Sequence, residues 1–88
     1  MNFIHSDLGQ LAPGAVAIVT LGTAANVRLL DDANFRSYQA GRPHRGYYMG
    51  FYRQSPVRMP VPSAGHWHVV VDLGGHAGTI RAGVRVAA

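Results

Sequence analysis

The sequence predicts an all-β domain, either a small β-sandwich or a partly open barrel of about six to seven strands, with one short helix. Six short runs support this fold class, because each alternates apolar with polar residues or is apolar and β-branched, as strands are. Turn signals rich in Gly and Pro separate these runs at intervals of about ten residues, which is too close for long helices. A chain of 88 residues is expected to form one domain, here residues 1–88.

The first two predicted strands lie on either side of a tight turn. Residues 11–14 are themselves typical of a turn, because Pro13 presets φ and Gly14 accepts a positive φ. Residues 15–21 then form an apolar, β-branched run, and residues 24–30 alternate apolar with polar side chains. With the turn around Gly22 and Thr23, the two runs predict a β-hairpin.

A single helix is predicted over residues 33–40. The carboxylates of Asp31 and Asp32 can cap its first turn, and Gly41 followed by Pro43 is a stop signal. A helix of two turns is unstable alone, so it must lean on the sheet. Its apolar contacts are expected to come from Phe35 and Tyr38, which are three residues apart.

The next two predicted strands, residues 47–53 and 57–61, differ in their proline content. Alternation in the first places Tyr47, Met49 and Phe51 on one face and Tyr48, Gly50 and Tyr52 on the other. The second run contains or adjoins three prolines, which lack the backbone donor of a sheet ladder. Residues 57–61 are therefore expected to form an edge strand or an irregular one.

The strand predicted for residues 66–73 has the clearest alternation. Trp67 heads its apolar face and is expected to be largely buried in the core. The opposite face carries His66, His68 and Asp72 and is expected to meet solvent. A glycine-rich turn at residues 74–78 then leads to the last predicted strand, residues 80–86.

Two long motifs resemble those of a known family. The first is the segment Leu30-Asp31-Asp32-Ala33-Asn34-Phe35, followed by Tyr38 and Gly41-Arg42. The second runs from Val61-Pro62 through Gly65-His66-Trp67-His68-Val69 to Asp72-Leu73-Gly74-Gly75. Together they resemble a family of small bacterial proteins catalogued as a domain of unknown function, which occurs alone or joined to Toll/interleukin-receptor-type (TIR) domains. The resemblance implies a compact all-β fold and a sensing or scaffolding role, and it brings no catalytic residues with it.

The composition permits some functions and disfavours others. The net charge of +4 and the pI near 10.4 allow an anionic partner. The chain has no Cys, no Glu and no Ser at a strand-to-helix elbow, so we expect no enzyme activity. No apolar run approaches the roughly 20 residues of a membrane span, and the start lacks a signal-peptide pattern. We therefore expect a cytoplasmic protein without membrane association.

A metal site is considered at His66 and His68. Two His at positions i and i+2 of a strand point the same way, as in many β-barrel metal sites. Asp72 lies too far along the strand to complete the set, so His5, His44 or His76 would have to arrive from elsewhere. Because this third ligand is missing locally, we expect no metal and no other cofactor.

The predicted binding surface is the loop 41–46 with the aromatic strand that follows it. Its candidate residues are Arg42, Arg45, Tyr48, Tyr52 and Arg53. The leading interpretation is a non-catalytic binding or scaffolding module whose partner is another protein or a second copy of the chain, since small sheets carry unpaired edges. The alternative is a nucleotide or single-stranded nucleic-acid binder, with Arg on phosphates and Tyr stacked on bases.

Overall fold

The computed structural model describes residues 3–75 and 78–87 as seven strands and one helix. The elements are β1 (Phe3–Leu11), β2 (Val16–Leu21), β3 (Ala25–Asp31), α1 (Asp32–Gln39), β4 (Tyr47–Tyr52), β5 (Val57–Pro60), β6 (Gly65–Asp72) and β7 (Ala82–Ala87). Two antiparallel sheets have the strand orders β1-β6-β3-β4 and β5-β2-β7, which confirms the predicted all-β sandwich with one short helix. Among the described residues, no helix is long and apolar enough to cross a membrane.

The main core fills the space between the two sheets. Alternation along each strand sends one set of apolar side chains inward, and those of β2, β3 and β6 are almost completely buried. Trp67 of β6 is 2 % exposed, and its indole N–H donates to the carbonyl oxygen of Ser63 at 3.0 Å. The expectation that Trp67 is buried is confirmed.

The helix α1 packs on the outer face of the four-stranded sheet. Asp31 caps it as predicted, because its side chain accepts a hydrogen bond from the backbone N–H of Asn34. Phe35 and Tyr38 pack against Leu30 of β3 and Val70 of β6 in a second apolar cluster. The helix begins and ends one residue earlier than predicted.

This helix overturns the prediction that one face of β6 meets solvent. His68 and Asp72 are both buried on that face, although His66 at the end of the strand is only half-buried. The sequence pattern showed polar side chains there and could not show that α1 would lie over them. Both faces of β6 are therefore interior over most of its length.

The predicted hairpin between β2 and β3 is wrong. β2 pairs with β5 and β7, whereas β3 pairs with β4 and β6, so the turn at Gly22 carries the chain from one sheet to the other. Both strands have a strongly apolar face, through Val19 in β2 and Val27 in β3, and each buries that face against the opposite sheet. Face-to-face packing therefore replaces the edge-to-edge pairing that the turn signal suggested.

Strand β1 was not predicted, because polar residues interrupt its apolar pattern. His5, Ser6 and Asp7 follow one another, and Gly9 then adopts a positive φ of 71°. The pairing of β1 with β6 shifts register between Asp7 and Gly9, which marks a β-bulge at the position where Gly is best tolerated. The strand β1 forms one edge of the four-stranded sheet.

A second irregularity changes the predicted faces of β4. Tyr48 has a φ of 54°, and the pairing with β3 shifts register between Val27 and Leu29. Phe51 lies opposite Asn26 and so shares the outer face of the sheet, while Tyr52 packs against the inner core. Tyr47 contacts Trp67 edge-on, and the predicted grouping of Tyr47 with Phe51 is wrong.

The predicted glycine-rich turn at residues 74–78 is described in part. Gly74, Gly75 and Gly78 all have positive φ values, as the turn signal indicates. His76 and Ala77 lie outside the described residues, and so does the proposal that His76 supplies a metal ligand.

Candidate functional site

An open groove of about 600 Å³ lies on the outer face of the four-stranded sheet, beside the loop 41–46. We call it the arginine groove. Its walls are formed by Asn26 and Arg28 of β3, by Gly41, Arg42, Pro43 and His44 of the loop, and by Met49 and Gly50 of β4. Cationic and apolar groups thus border the same depression.

The loop is held in place by hydrogen bonds from its backbone. The Arg42 N–H donates to the carbonyl oxygen of Ser37 at 2.8 Å, and the Arg45 N–H donates to Oδ1 of Asn34 at 2.8 Å. Both acceptors belong to α1, so the helix positions the loop through main-chain atoms. Both arginines are exposed.

Asp72 holds the side chains beside the groove in place. Its buried carboxylate accepts hydrogen bonds from Asn26 Nδ2 at 3.1 Å, from Tyr38 Oη at 2.8 Å and from the Gly74 N–H at 2.8 Å. It also forms an ion pair with Arg28, whose guanidinium lies 5.3 Å from the centre of the Tyr38 ring. These contacts fix the orientation of Arg28 at the groove.

The two acidic groups of this network have shifted pKa values. Burial works to raise the pKa of Asp72, but hydrogen bonds from Tyr38, Gly74 and Asn26, with the Arg28 charge, outweigh burial and lower it. Burial and the hydrogen bond to Asp72 raise the pKa of Tyr38. Asp72 is therefore an anion at neutral pH, and Tyr38 remains a hydrogen-bond donor.

The structure brings two of the predicted arginines to this surface. Arg42 lines the groove, and the guanidinium carbon of Arg53 lies 5.7 Å from the centre of the exposed Phe51 ring. Arg45 is exposed in the same loop, as predicted. Within residues 3–75 and 78–87, no carboxylate forms an ion pair with Arg42, Arg45 or Arg53.

The hydroxyl groups of the two predicted tyrosines form hydrogen bonds within the protein. Tyr48 Oη donates to the carbonyl oxygen of Pro60 in β5 at 2.9 Å, and Tyr52 Oη donates to the carbonyl oxygen of Tyr48 at 2.7 Å. Tyr48 thereby links the edges of the two sheets, and Tyr52 packs on the inner core. The apolar side chains on the groove side are Met49 and Phe51, which were not chosen as site residues because alternation groups side chains by face but does not show which face is exposed.

A second polar cluster lies where β1, β6 and the first turn of α1 meet. We call it the histidine cluster, and its members are His5, Asp7, Asp32, His66 and His68. His66 Nε2 lies 2.5 Å from Asp7 Oδ1, and His68 Nε2 lies 2.7 Å from Asp32 Oδ1. His68 Nδ1 lies 2.9 Å from His5 Nε2. Both nitrogens of the buried His68 therefore have partners.

Aromatic stacking fixes the rings of this cluster. The His68 ring stacks on His66 with centres 4.8 Å apart, and it stacks on Phe35 with centres 4.5 Å apart. His5 stacks on Phe35 as well, with centres 4.0 Å apart. The imidazole groups consequently have little freedom to rotate.

Neighbouring groups also shift the pKa values of side chains in the histidine cluster. Hydrogen bonds from the Gly9 N–H and from His66 lower the pKa of Asp7, and the hydrogen bond from His68 lowers the pKa of Asp32. Burial and the nearby His68 lower the pKa of His5. The carboxylates are anionic and His5 is neutral at neutral pH.

Sequence reasoning placed no third ligand near His66 and His68 on their own strand and left His5, His44 or His76 to arrive from elsewhere, but did not consider Asp7. Asp7 supplies one, because the register of β1 places it opposite His68. One ligand atom from each of Asp7, His66 and His68 lies within 4.8 Å of the other two. The signal that sequence reasoning missed was the i, i+2 pair His5 and Asp7, which belongs to the strand that was not recognised.

Comparison with known proteins identifies the chain only at the level of a family. No curated protein and no solved structure matches it. A family model described as a domain of unknown function (DUF1883) matches residues 1–88, the full length of the chain. The chain therefore belongs to the DUF1883 family.

Proposed function

We propose that this protein is a non-catalytic binding module that takes an acidic segment of another protein at the arginine groove and the adjoining strand β4. The observation that carries the proposal is the pairing of Arg42 and Arg53, which have no carboxylate partner among the described residues, with exposed apolar side chains. Met49 is 46 % exposed and Phe51 is 55 % exposed. Aromatic, Met and Arg side chains are the types enriched in protein interfaces.

The strand itself supports a protein partner. β4 stands at one end of the four-stranded sheet, so it has a ladder with β3 on one side only. An edge of this kind offers backbone donors and acceptors to an extended segment of another chain. Apolar side chains beside such an edge add to the surface that a partner can cover.

Charge favours an acidic partner over a second copy of the chain. The net charge is +4, and Arg42, Arg45 and Arg53 all lie in or beside β4. Two copies meeting at this strand would bring these arginines together, and like charges in an interface weaken association. A segment rich in Asp or Glu meets complementary charge instead.

One observation favours single-stranded nucleic acid as a second candidate. The Arg53 guanidinium beside the exposed Phe51 ring resembles the combination of cation and aromatic face on which bases stack. The chemistry of the two candidates differs in its dependence on salt. Phosphate contacts give a steep loss of affinity with salt, because each neutralised phosphate releases a counterion.

The proposed role accords with the family resemblance seen in the two sequence motifs. A bacterial domain that occurs alone or joined to TIR domains is suited to bring a partner to a signalling protein. This role requires a binding surface and no reaction. The groove provides such a surface in a domain that lacks Cys and Glu.

The test measures binding of two labelled probes by fluorescence anisotropy. One probe is a peptide of about ten residues that alternates Glu with Val, and the other is an oligothymidylate of about ten nucleotides. We expect the peptide to bind, and Arg42→Ala, Arg53→Ala and Phe51→Ser each to weaken it at least about five-fold, the loss that marks an interface anchor. Arg85→Ala, an exposed cation of the other sheet, is the matched control and should leave binding unchanged.

Other outcomes of this test decide against the proposal. Tighter binding of the oligothymidylate, with a steep salt dependence, would establish the nucleic-acid candidate instead. A concentration-dependent dimer in sedimentation that Phe51→Ser disrupts would make a second copy the partner.

The Arg42→Ala and Arg53→Ala variants should remain within about 0.5 kcal/mol of the parent in stability, because both sites are exposed.

A further inference from the structure

We propose that the histidine cluster binds a divalent first-row transition metal such as Zn²⁺, with Asp7, His66 and His68 as ligands and Asp32 beside them. The donor set is the first reason. Two imidazoles and carboxylate oxygen suit Zn²⁺ and its neighbours in the series, whereas Ca²⁺ and Mg²⁺ prefer oxygen alone. The ligand atoms of Asp7, His66 and His68 already lie within 4.8 Å of one another.

The ligands come from separate elements that the fold holds rigidly. Asp7 belongs to β1, both histidines belong to β6, and Asp32 is the first residue of α1. The ladder between β1 and β6 sets Asp7 opposite His68, and the cap at Asp31 fixes the start of the helix. A metal at this point would join β1 to β6, with Asp32 at the start of α1 beside it.

His5 is placed to orient the ligand His68 through a hydrogen bond, without itself binding the metal. Metal-binding histidines almost always use their second nitrogen in a hydrogen bond, which fixes the ring and its tautomer. His68 Nδ1 has this bond, to His5 Nε2 at 2.9 Å, while Phe35 stacks on both rings.

The protons can be accounted for when the metal binds. In the neutral metal-free state, a carboxylate can only accept, so His68 donates from Nε2 to Asp32 and its Nδ1 accepts from His5. With a metal on Nε2, the His68 proton moves to Nδ1 and is donated to His5 Nε2. His5 then carries its own proton on Nδ1, so no proton is lost from the pair.

The site is also open to an incoming ion. The side chains of Asp7 and Asp32 are about half exposed, whereas the His68 ring is buried. Asp32 uses its other carboxylate oxygen for Arg36, at 3.3 Å on the surface of the helix, and keeps Oδ1 toward the cluster. A metal would replace the hydrogen bonds that now join His66 to Asp7 and His68 to Asp32.

The test uses the full chain purified without a polyhistidine tag. Co²⁺ is the first probe, because in a four- or five-coordinate protein site it absorbs visible light much more strongly than the free hydrated ion, and Zn²⁺ is then used to displace it. We expect saturation at about one Co²⁺ per chain and a metal-dependent rise in the unfolding temperature, since a ligand of the folded state stabilises it. His66→Ala and Asp7→Asn change half-buried or exposed residues and should each weaken binding by about 10–100-fold or more.

Two further variants make the result specific. His5→Phe keeps an aromatic ring on Phe35 but removes the bond to His68, and should weaken binding about 10–100-fold without abolishing it. His44→Ala removes a histidine of the arginine groove and should leave metal binding unchanged. Absence of Co²⁺ and Zn²⁺ binding at millimolar metal, or equal binding by the folded His66→Ala and Asp7→Asn variants, would overturn the proposal. Neither result bears on peptide binding at the groove.

Discussion

Asp72 shows how a single buried charge can organise one face of a sheet. Its two carboxylate oxygens meet four donors, from β3, α1 and the turn after β6, and within the described residues no buried side-chain polar atom lacks a partner. A satisfied network of this kind specifies one arrangement of the elements that contribute to it. The position of Arg28 at the groove depends on it.

Asp72→Asn should destabilise the protein by about 3 kcal/mol, the low end for breaking a buried ion pair, because Arg28 stays partly hydrated. The effect should depend on pH. The pKa of Asp72 is lower in the folded protein, so its contribution is present above the ordinary value of 3.8 and is lost as the pH falls through the folded value. Urea unfolding between about pH 6 and pH 2 should show the two proteins converging, and a constant difference would contradict the assignment.

Trp67 is a second single residue on which the fold depends, because its large ring packs in the core. Trp67→Ala should cost about 3–5 kcal/mol, because it removes a large buried ring and leaves a cavity. Trp67→Phe keeps a ring in the core and should cost less. Native fluorescence should be blue-shifted relative to unfolded protein. Emission at the solvent-exposed wavelength in the native state would show that Trp67 is not in the core.

At the scale of elements, α1 is a short helix that depends on its two ends and on the sheet beneath it. Asp31 Oδ1 accepts from both the backbone N–H and the Nδ2 group of Asn34, at 2.9 Å each. Asn34 Oδ1 in turn accepts from the Arg45 N–H of the loop. The cap therefore holds the helix, the loop and one wall of the groove together.

Asp31→Ala should cost about 1 kcal/mol, within the range of 0.5–2 for loss of a cap. Asp31→Asn retains an oxygen acceptor of similar geometry and should lower the stability by only roughly a few tenths of a kcal/mol. Unfolding in urea measures both. Equal losses in the two variants would mean that the charge of Asp31, and not its capping bond, is what stabilises the helix.

At the scale of the whole molecule, each sheet has inner strands that are paired on both sides and edge strands that are paired on one side. β6 and β3 are the inner strands of one sheet, and β2 is the inner strand of the other. We expect their amides to exchange with solvent most slowly and those of the edge strands β1, β4, β5 and β7 to exchange faster, because edge strands open at lower free energy. Hydrogen exchange measured by NMR checks this order, and fast exchange throughout β6 would contradict the topology.

The sequence allowed most elements to be predicted and left their assembly open. Residues 66–73 alternate so strongly around Trp67 that β6 was identified within one residue. Alternation is a local property, however, and cannot tell whether β2 pairs with β3 or faces it across the core. The sites were predicted least well, because β1 was not recognised and because alternation could not show that Met49 and Phe51 lie on the groove side of β4.

The pairing of β1 with β6 and of β2 with β7 has a consequence for how the chain acquires its shape. Each of these early strands finds this partner only after the later strands of the domain have been made, and the helix α1 is too short to persist alone. Pairing between distant segments is slow, with folding times of milliseconds to seconds. A ribosome-bound chain that ends before Ala82 would lack the partner that closes β2 on its second side, leaving an apolar strand accessible to chaperones.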